Sequence, residues 1–136
     1  PSRWGVVPPA DRELVRAFLK TDDFLLTSYN NFTDLGLGLT QVYNTYLVYN
    51  HKRAGDFYLD GKHFRLRLVP AYPTALSKEY LLVDLLNNMR RLPDDVGRVL
   101  SNLKSQLGEY DRAKVAECLR LYGSAAAKRI LREAHA

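Results

Sequence analysis

Apolar positions alternate with polar ones between residues 43 and 69. From Ser77 onward they recur every three or four residues. That switch of period predicts a sheet-forming stretch followed by a helical one. Residues 43–50 and 57–69 form two strand-like runs rich in Tyr, Val and Phe. Asp60-Gly61 divides the second run at a tight hairpin, because both residues tolerate the positive φ of a type I′ turn. Beyond the turn, Phe64, Leu66 and Leu68 fall on one face of the strand, and His63, Arg65 and Arg67 on the other. Upstream, Asp11 is placed to cap a helix over 12–20 whose apolar stripe is Leu14, Val15, Phe18 and Leu19. Thr21-Asp22-Asp23 breaks that helix, and residues 24–27 read as a short buried strand. Ser28 then caps a short helix through Phe32 and Leu35, stopped at Gly36.

The helical part is punctuated by caps. Residues 78–92 form one helix, with Leu81, Leu82, Leu85, Leu86 and Met89 on its apolar side, ended by Pro93. Asp94 opens a second that stops at Gly108, Asp111 a third that stops at Gly123, and Ser124 a fourth. The fold class this predicts is α+β: a small antiparallel sheet with a hairpin, packed against a C-terminal set of about four helices.

With 136 residues, 46% of them hydrophobic, the chain is long enough for one domain with a real core. No run approaches the ~18–20 apolar residues of a membrane span, so no membrane partner is expected. The single cysteine, Cys118, leaves no internal disulfide and fits a reducing, cytoplasmic setting. Pro1-Ser2-Arg3-Trp4-Gly5-Val6-Val7-Pro8-Pro9, with three prolines in nine residues, reads as a linker over 1–10 from a module upstream, with a single domain over 11–136.

The net charge of +5 is unevenly placed. Residues 51–67 carry five Lys/Arg against two Asp/Glu, and residues 87–136 carry ten against six. Like charges at alternate strand positions repel one another and add little to folding. His51, Lys52, Arg53, His63, Arg65 and Arg67 are therefore expected to form one surface that meets an anion, an acidic partner or nucleic acid. Lys128, Arg129 and Arg132 form a second basic face on the last helix, although cations there also favour the helix dipole. Tyr43, Tyr46, Tyr49 and Tyr58 interleave with these cations, as bases and phosphates of a single strand require. The same tyrosines also suit a half-buried sheet, which is the simpler reading.

Catalytic signals are weak. The histidines lack the spacing of a metal pair, and Cys118 lies among apolar helical neighbours. Gly36-Leu37-Gly38 lacks the rest of a phosphate loop and reads as a turn. Asp56, Asp60 and Lys62 loosely suggest a metal-dependent nuclease, but the hairpin turn already uses Asp60. No catalytic residue, metal or cofactor is expected.

The segments PSRWGVVPP, LLTSYNNFTDLGLGLTQVYN, VYNHKRAGDFYLDGKHFRLR, YPTALSKEYLLVDLLNNMRRL and LYGSAAAKRIL together resemble the C-terminal part of AbiEi-type antitoxins. The likeness spans nearly all of the chain and rests on hydrophobic, glycine and tyrosine positions, with no catalytic signature. It implies a non-enzymatic, cytoplasmic bacterial domain of a type IV toxin–antitoxin system, the class linked to phage defence. Its functional partner would be a nucleotidyltransferase-type toxin. Such antitoxins carry an N-terminal winged helix-turn-helix for transcriptional regulation, and the proline-rich start is expected to match the point where that module hands over to the second domain. The resemblance assigns no individual residue, so the candidate sites rest on charge. The alternative is a nucleic-acid-binding module, on promoter DNA or on RNA, that uses the basic, Tyr-rich sheet face.

Overall fold

A computed structural model describes residues 9–39, 42–92 and 95–135. The chain is α+β, as its pattern predicts, and its contacts divide it into two compact units. The first comprises Pro1–Asn31 and Tyr43–Leu76, the second Phe32–Val42 and Ser77–Ala136.

The first unit holds helix α1 (Pro9–Leu19) and strands β1 (Phe24–Ser28), β2 (Thr45–Asn50), β3 (Gly55–Leu59) and β4 (Lys62–Leu68). The helix begins at Pro9, whose ring presets a helical φ at the first position, so the expected linker loses its last two residues. Residues 1–8 lie outside the described part. Asp11 consequently sits inside the first turn rather than at the cap. Val15 and Leu19 pack with Phe24, Leu26, Val48, Phe64 and Leu66 in one buried cluster, flanked by Leu14 and Phe18. The predicted stripe on α1 is thus the stripe that covers the sheet.

The strand order is β1-β2-β4-β3. β1 pairs with β2 and β3 with β4 antiparallel, as expected, but β2 and β4 run parallel. The sheet is therefore mixed rather than wholly antiparallel. The hairpin is inserted with β4 innermost, and burial explains why. Phe64 and Leu66 on β4 are fully buried, whereas β3 alternates only between exposed and half-buried positions. The strand with more apolar surface takes the inner place, and β3 becomes the edge. Asp60 and Gly61 adopt φ of +51° and +76°, the left-handed pair that the hairpin requires.

The loop from β2 to β3 must then pass over one strand, about 10 Å at the usual inter-strand spacing, which its four residues span when extended. Asn50, fully buried at the end of β2, organises that crossing. Its side-chain oxygen accepts from the Lys52 and Arg53 amides, each at 2.8 Å. Its amide donates to the Arg53 carbonyl at 3.0 Å and the Arg67 carbonyl at 3.3 Å.

A short helix α2 (Asn30–Thr33) leads into the second unit, which contains α3 (Lys78–Asn87), α4 (Val96–Gln106), α5 (Arg112–Tyr122) and α6 (Ala125–Ala134). Ser28, the last residue of β1, accepts from the Asn30 amide at 3.1 Å, but the helix ends at Thr33, short of the expected Leu35. Ser77, Asp111 and Ser124 cap α3, α5 and α6. α4 is capped by Asp95; Asp94 and Pro93 lie outside the described residues. α3 departs from the one-sided pattern: Glu79 through Leu86 are all buried. It also ends five residues early, where Asn88 donates its side-chain amide to the Asp84 carbonyl at 2.7 Å and the chain tightens into a 3-10 turn over Met89–Arg91. Within this unit α4 grips the turn at 36–38, Asn102 donating to the Leu37 carbonyl at 3.0 Å and Gln106 to that of Gly36 at 3.2 Å.

Candidate functional site

The basic residues predicted around the hairpin do not form one open cationic surface. The β3–β4 register sets Asp56 opposite Arg65 and Tyr58 opposite His63. The Arg65 guanidinium donates to Asp56 at 3.0 Å, and His63 Nε2 lies 3.7 Å from the same carboxylate. His63, Arg65 and Arg67 are each half-buried. A carboxylate on the neighbouring strand thus relieves the repulsion expected along β4. Asp56 is drawn into that role and Asp60 into the turn, which leaves the nuclease reading without converging acids.

His51, Lys52 and Arg53 sit in the β2–β3 crossing, at the opposite end of the sheet from His63. Lys52 Nζ donates to the Leu19 carbonyl at 2.7 Å and so closes the C-terminal end of α1. The Arg53 guanidinium lies 4.9 Å from the Phe18 ring centroid and 5.1 Å from that of Phe57. His51 Nδ1 meets Asp23 at 3.0 Å and Nε2 meets the Pro70 carbonyl at 3.2 Å, while its ring packs against Tyr72. Each of these cations has a partner inside its own unit.

The opposite end of the sheet, where β2 and β4 begin, carries a groove of about 700 Å³. Its walls come from Asn31, Asn44, Thr45, Tyr46, Tyr58, Lys62 and His63. Asn30 holds the approach to β2 by a two-way clasp on Tyr43, accepting from its amide at 2.8 Å and donating to its carbonyl at 2.7 Å. Thr45 Oγ1 and His63 Nδ1 are 2.8 Å apart across the parallel pair. Beneath the groove lies Asp11, fully buried in α1. Tyr46 donates its hydroxyl to Asp11 Oδ2 at 2.6 Å, and Lys62 donates to Oδ1. The Lys62 and Tyr46 hydrogen bonds hold the Asp11 carboxyl below the usual carboxylate range. Asp11 in turn, with burial, pushes the Tyr46 phenol up to about 12. Tyr46 is therefore a donor throughout the neutral range, and Asp11 and Lys62 cancel as charges.

The four strand tyrosines divide. Tyr49 is buried, Tyr43 half-buried, and Tyr46 packs on Phe64 with centroids 5.1 Å apart. Tyr58 is 73% exposed and stacks on His63 at 4.9 Å, with the rings 18° from parallel. Asp11, Tyr46 and Lys62 were not among the predicted site residues. Asp11 was read only as a helix cap, Tyr46 only as one of the strand tyrosines and Lys62 only beside the hairpin acids, and no local pattern joins them.

In the second unit, α6 buries Ala127 and Leu131 and exposes Lys128, Arg129 and Arg132. None of the three is in an ion pair among the described residues. Cys118 is half-buried on α5, and burial, followed by the Glu79 charge, pushes its thiol up. Among the described residues no three His, Cys, Asp or Glu side chains converge on a metal position, and no helix is long and apolar enough to cross a membrane. Comparison with protein-family models, with curated proteins and with solved structures found no match to this chain.

Proposed function

We propose that the chain is a non-enzymatic regulatory domain that counteracts a nucleotidyltransferase-type toxin and meets its partner through the basic face of α6. The observation that supports this reading is the trio Lys128, Arg129 and Arg132, exposed together on one turn without an ion-pair partner among the described residues. Exposed like charges at this spacing contribute nothing favourable to the helix beyond the dipole effect at its last turn. They attract an acidic surface or a phosphate. The hairpin cations offer less, since Asp56 and Asp23 already face them. The AbiEi resemblance supplies the class of partner.

The test is growth rescue: residues 1–136 co-expressed with a nucleotidyltransferase-like neighbour of its own gene, where there is one, beside a Lys128→Gln, Arg129→Gln, Arg132→Gln variant. The reading expects survival with the parent chain and its loss with the variant at equal soluble yield. No rescue by a folded parent chain, against a neighbour shown to be toxic, overturns it.

A second reading, a nucleic-acid-binding module, is favoured by Tyr58, which stands exposed on the same sheet face as Arg65. Electrophoretic mobility shifts with promoter DNA and with single-stranded RNA test it, and salt-insensitive binding counts against a phosphate role for α6.

A further inference from the structure

We infer that the groove at the start of β2 and β4 binds a nucleobase, as an uncharged planar ring stacked on Tyr58. The inference deepens the nucleic-acid reading and rests on it only for where the base comes from. Three features carry it. Tyr58 keeps 73% of its surface exposed even though one ring face lies on His63, so its other face is open to a second ring. A half-buried base under that face completes a three-layer stack, the usual way proteins hold unpaired bases.

The polar groups beside it suit a base edge. The Asn44 side chain makes no hydrogen bond among the described residues, and Asn31 uses only its amide nitrogen, on Thr27 Oγ1 at 3.0 Å. Together they present donors and acceptors of the kind that pair with the carbonyl and ring nitrogens of a base. The volume of about 700 Å³ lies within the range of small-ligand clefts and exceeds what a single nucleoside fills.

Charge then narrows the ligand. Lys62 is held by Asp11, and His63 faces Asp56, so each basic group at the groove has a carboxylate against it. A polyphosphate gains little there. The base, rather than its phosphate, is what this groove reads, and binding at it is expected to depend weakly on salt.

The experiment is a titration followed by NMR, with three probes: adenosine, adenosine monophosphate and a short single-stranded oligonucleotide. Each is added to the full chain and to its Tyr58→Ala and Tyr58→Trp variants. Tyr58 is largely exposed, so these substitutions leave the fold intact, and circular dichroism verifies that. The expected result is saturable shifts at Tyr58, His63 and the Asn31 and Asn44 side-chain amides, similar for adenosine and its monophosphate. Loss of the stacking ring should weaken binding about tenfold, and Trp should preserve it.

If the oligonucleotide shifts the same resonances, the base comes from a strand. If only the free nucleoside does, the groove inference stands while the nucleic-acid reading falls. If the oligonucleotide binds elsewhere, unaffected by Tyr58→Ala, the reading survives and the groove inference is overturned. Absence of shifts with every probe at millimolar concentration overturns it as well.

Discussion

Asp11 is the position at which a single atom exchange says most about this fold. It is fully buried, yet it carries a charge, and it joins α1 to two strands that lie 35 and 51 residues away. Asp11→Asn keeps the shape but removes the charge, and turns an NH2 toward either the Tyr46 hydroxyl or the Lys62 ammonium. Charge-assisted hydrogen bonds contribute about 1.5–3 kcal/mol each, and breaking a buried ion pair costs about 3–5 kcal/mol. The Lys62 side chain is 45% exposed, so its ammonium recovers water when its partner goes, which removes roughly half of that loss. The expected destabilisation is about 2–3 kcal/mol, and that of Tyr46→Phe, which removes one charge-assisted bond and no charge, about 1.5 kcal/mol, the lower end of that range.

The dependence on pH provides an independent check. The Asp11 carboxyl titrates below its unfolded value because Lys62 and Tyr46 favour the ionised form. Its contribution is therefore complete above the ordinary carboxylate range and is lost as the pH falls through the folded-state value. The gap between parent and Asp11→Asn should be full at pH 7 and narrow steadily in acid. Urea denaturation followed by far-UV circular dichroism, repeated at several pH values, measures both quantities. An Asp11→Asn chain within about 0.5 kcal/mol of the parent at pH 7 would refute the reasoning, since that is the scatter of an inert surface change.

Two further outcomes follow from the same unit. Asn50→Ala strands the Lys52 and Arg53 amides and the Arg53 and Arg67 carbonyls around the crossing loop, and a loss of about 2–3 kcal/mol in urea denaturation is expected. Both ring nitrogens of His51 face acceptors, Asp23 and the Pro70 carbonyl, so the doubly protonated ring fits best; the Asp23 hydrogen bond raises the imidazole value, and Tyr72 and His51 lower that of Asp23. The stabilising contribution of the pair is then present below the unfolded histidine range of about 6.5, fades as pH rises through the raised value, and fades again in acid as Asp23 protonates. The difference in Tm between the parent and His51→Ala, scanned from acid to pH 9, should be largest from about pH 4 to 6.5, and a flat difference would contradict it.

What was legible in the chain is what depends on neighbours in sequence. The Asp60-Gly61 turn, the caps at Ser77, Asp111 and Ser124, and the stripe on α1 each follow from residues within one or two turns of each other. The parallel pairing of β2 with β4 does not, because alternation assigns faces to a strand but not its partner. Which hairpin strand lies inside depends on how much apolar surface each buries, and that is settled by α1, forty residues earlier. The charges show the same limit more sharply. Read along β4 alone, His63, Arg65 and Arg67 look like a repelling row that requires an outside anion. Read across the sheet, Asp56 stands opposite Arg65, and the row is largely balanced from within.

Unpaired charge in the sequence is thus a poor guide to unpaired charge on the surface when strands bring distant residues level. It is a better guide on the exposed face of a helix such as α6, where the nearest side chains to a surface residue are those three and four positions away. Lys128, Arg129 and Arg132 stay exposed for that reason, and they carry the partner-binding proposal more firmly than the hairpin does. The groove follows the opposite logic. Its chemistry is assembled from residues that no local pattern joins, α1 supplying a buried carboxylate, β4 a lysine and a histidine, and β3 an exposed ring. Charge cancels among these groups while stacking surface and neutral amides remain. A site of that kind selects for shape and hydrogen-bond pattern instead of charge, which is why a search of the sequence for basic clusters passes over it.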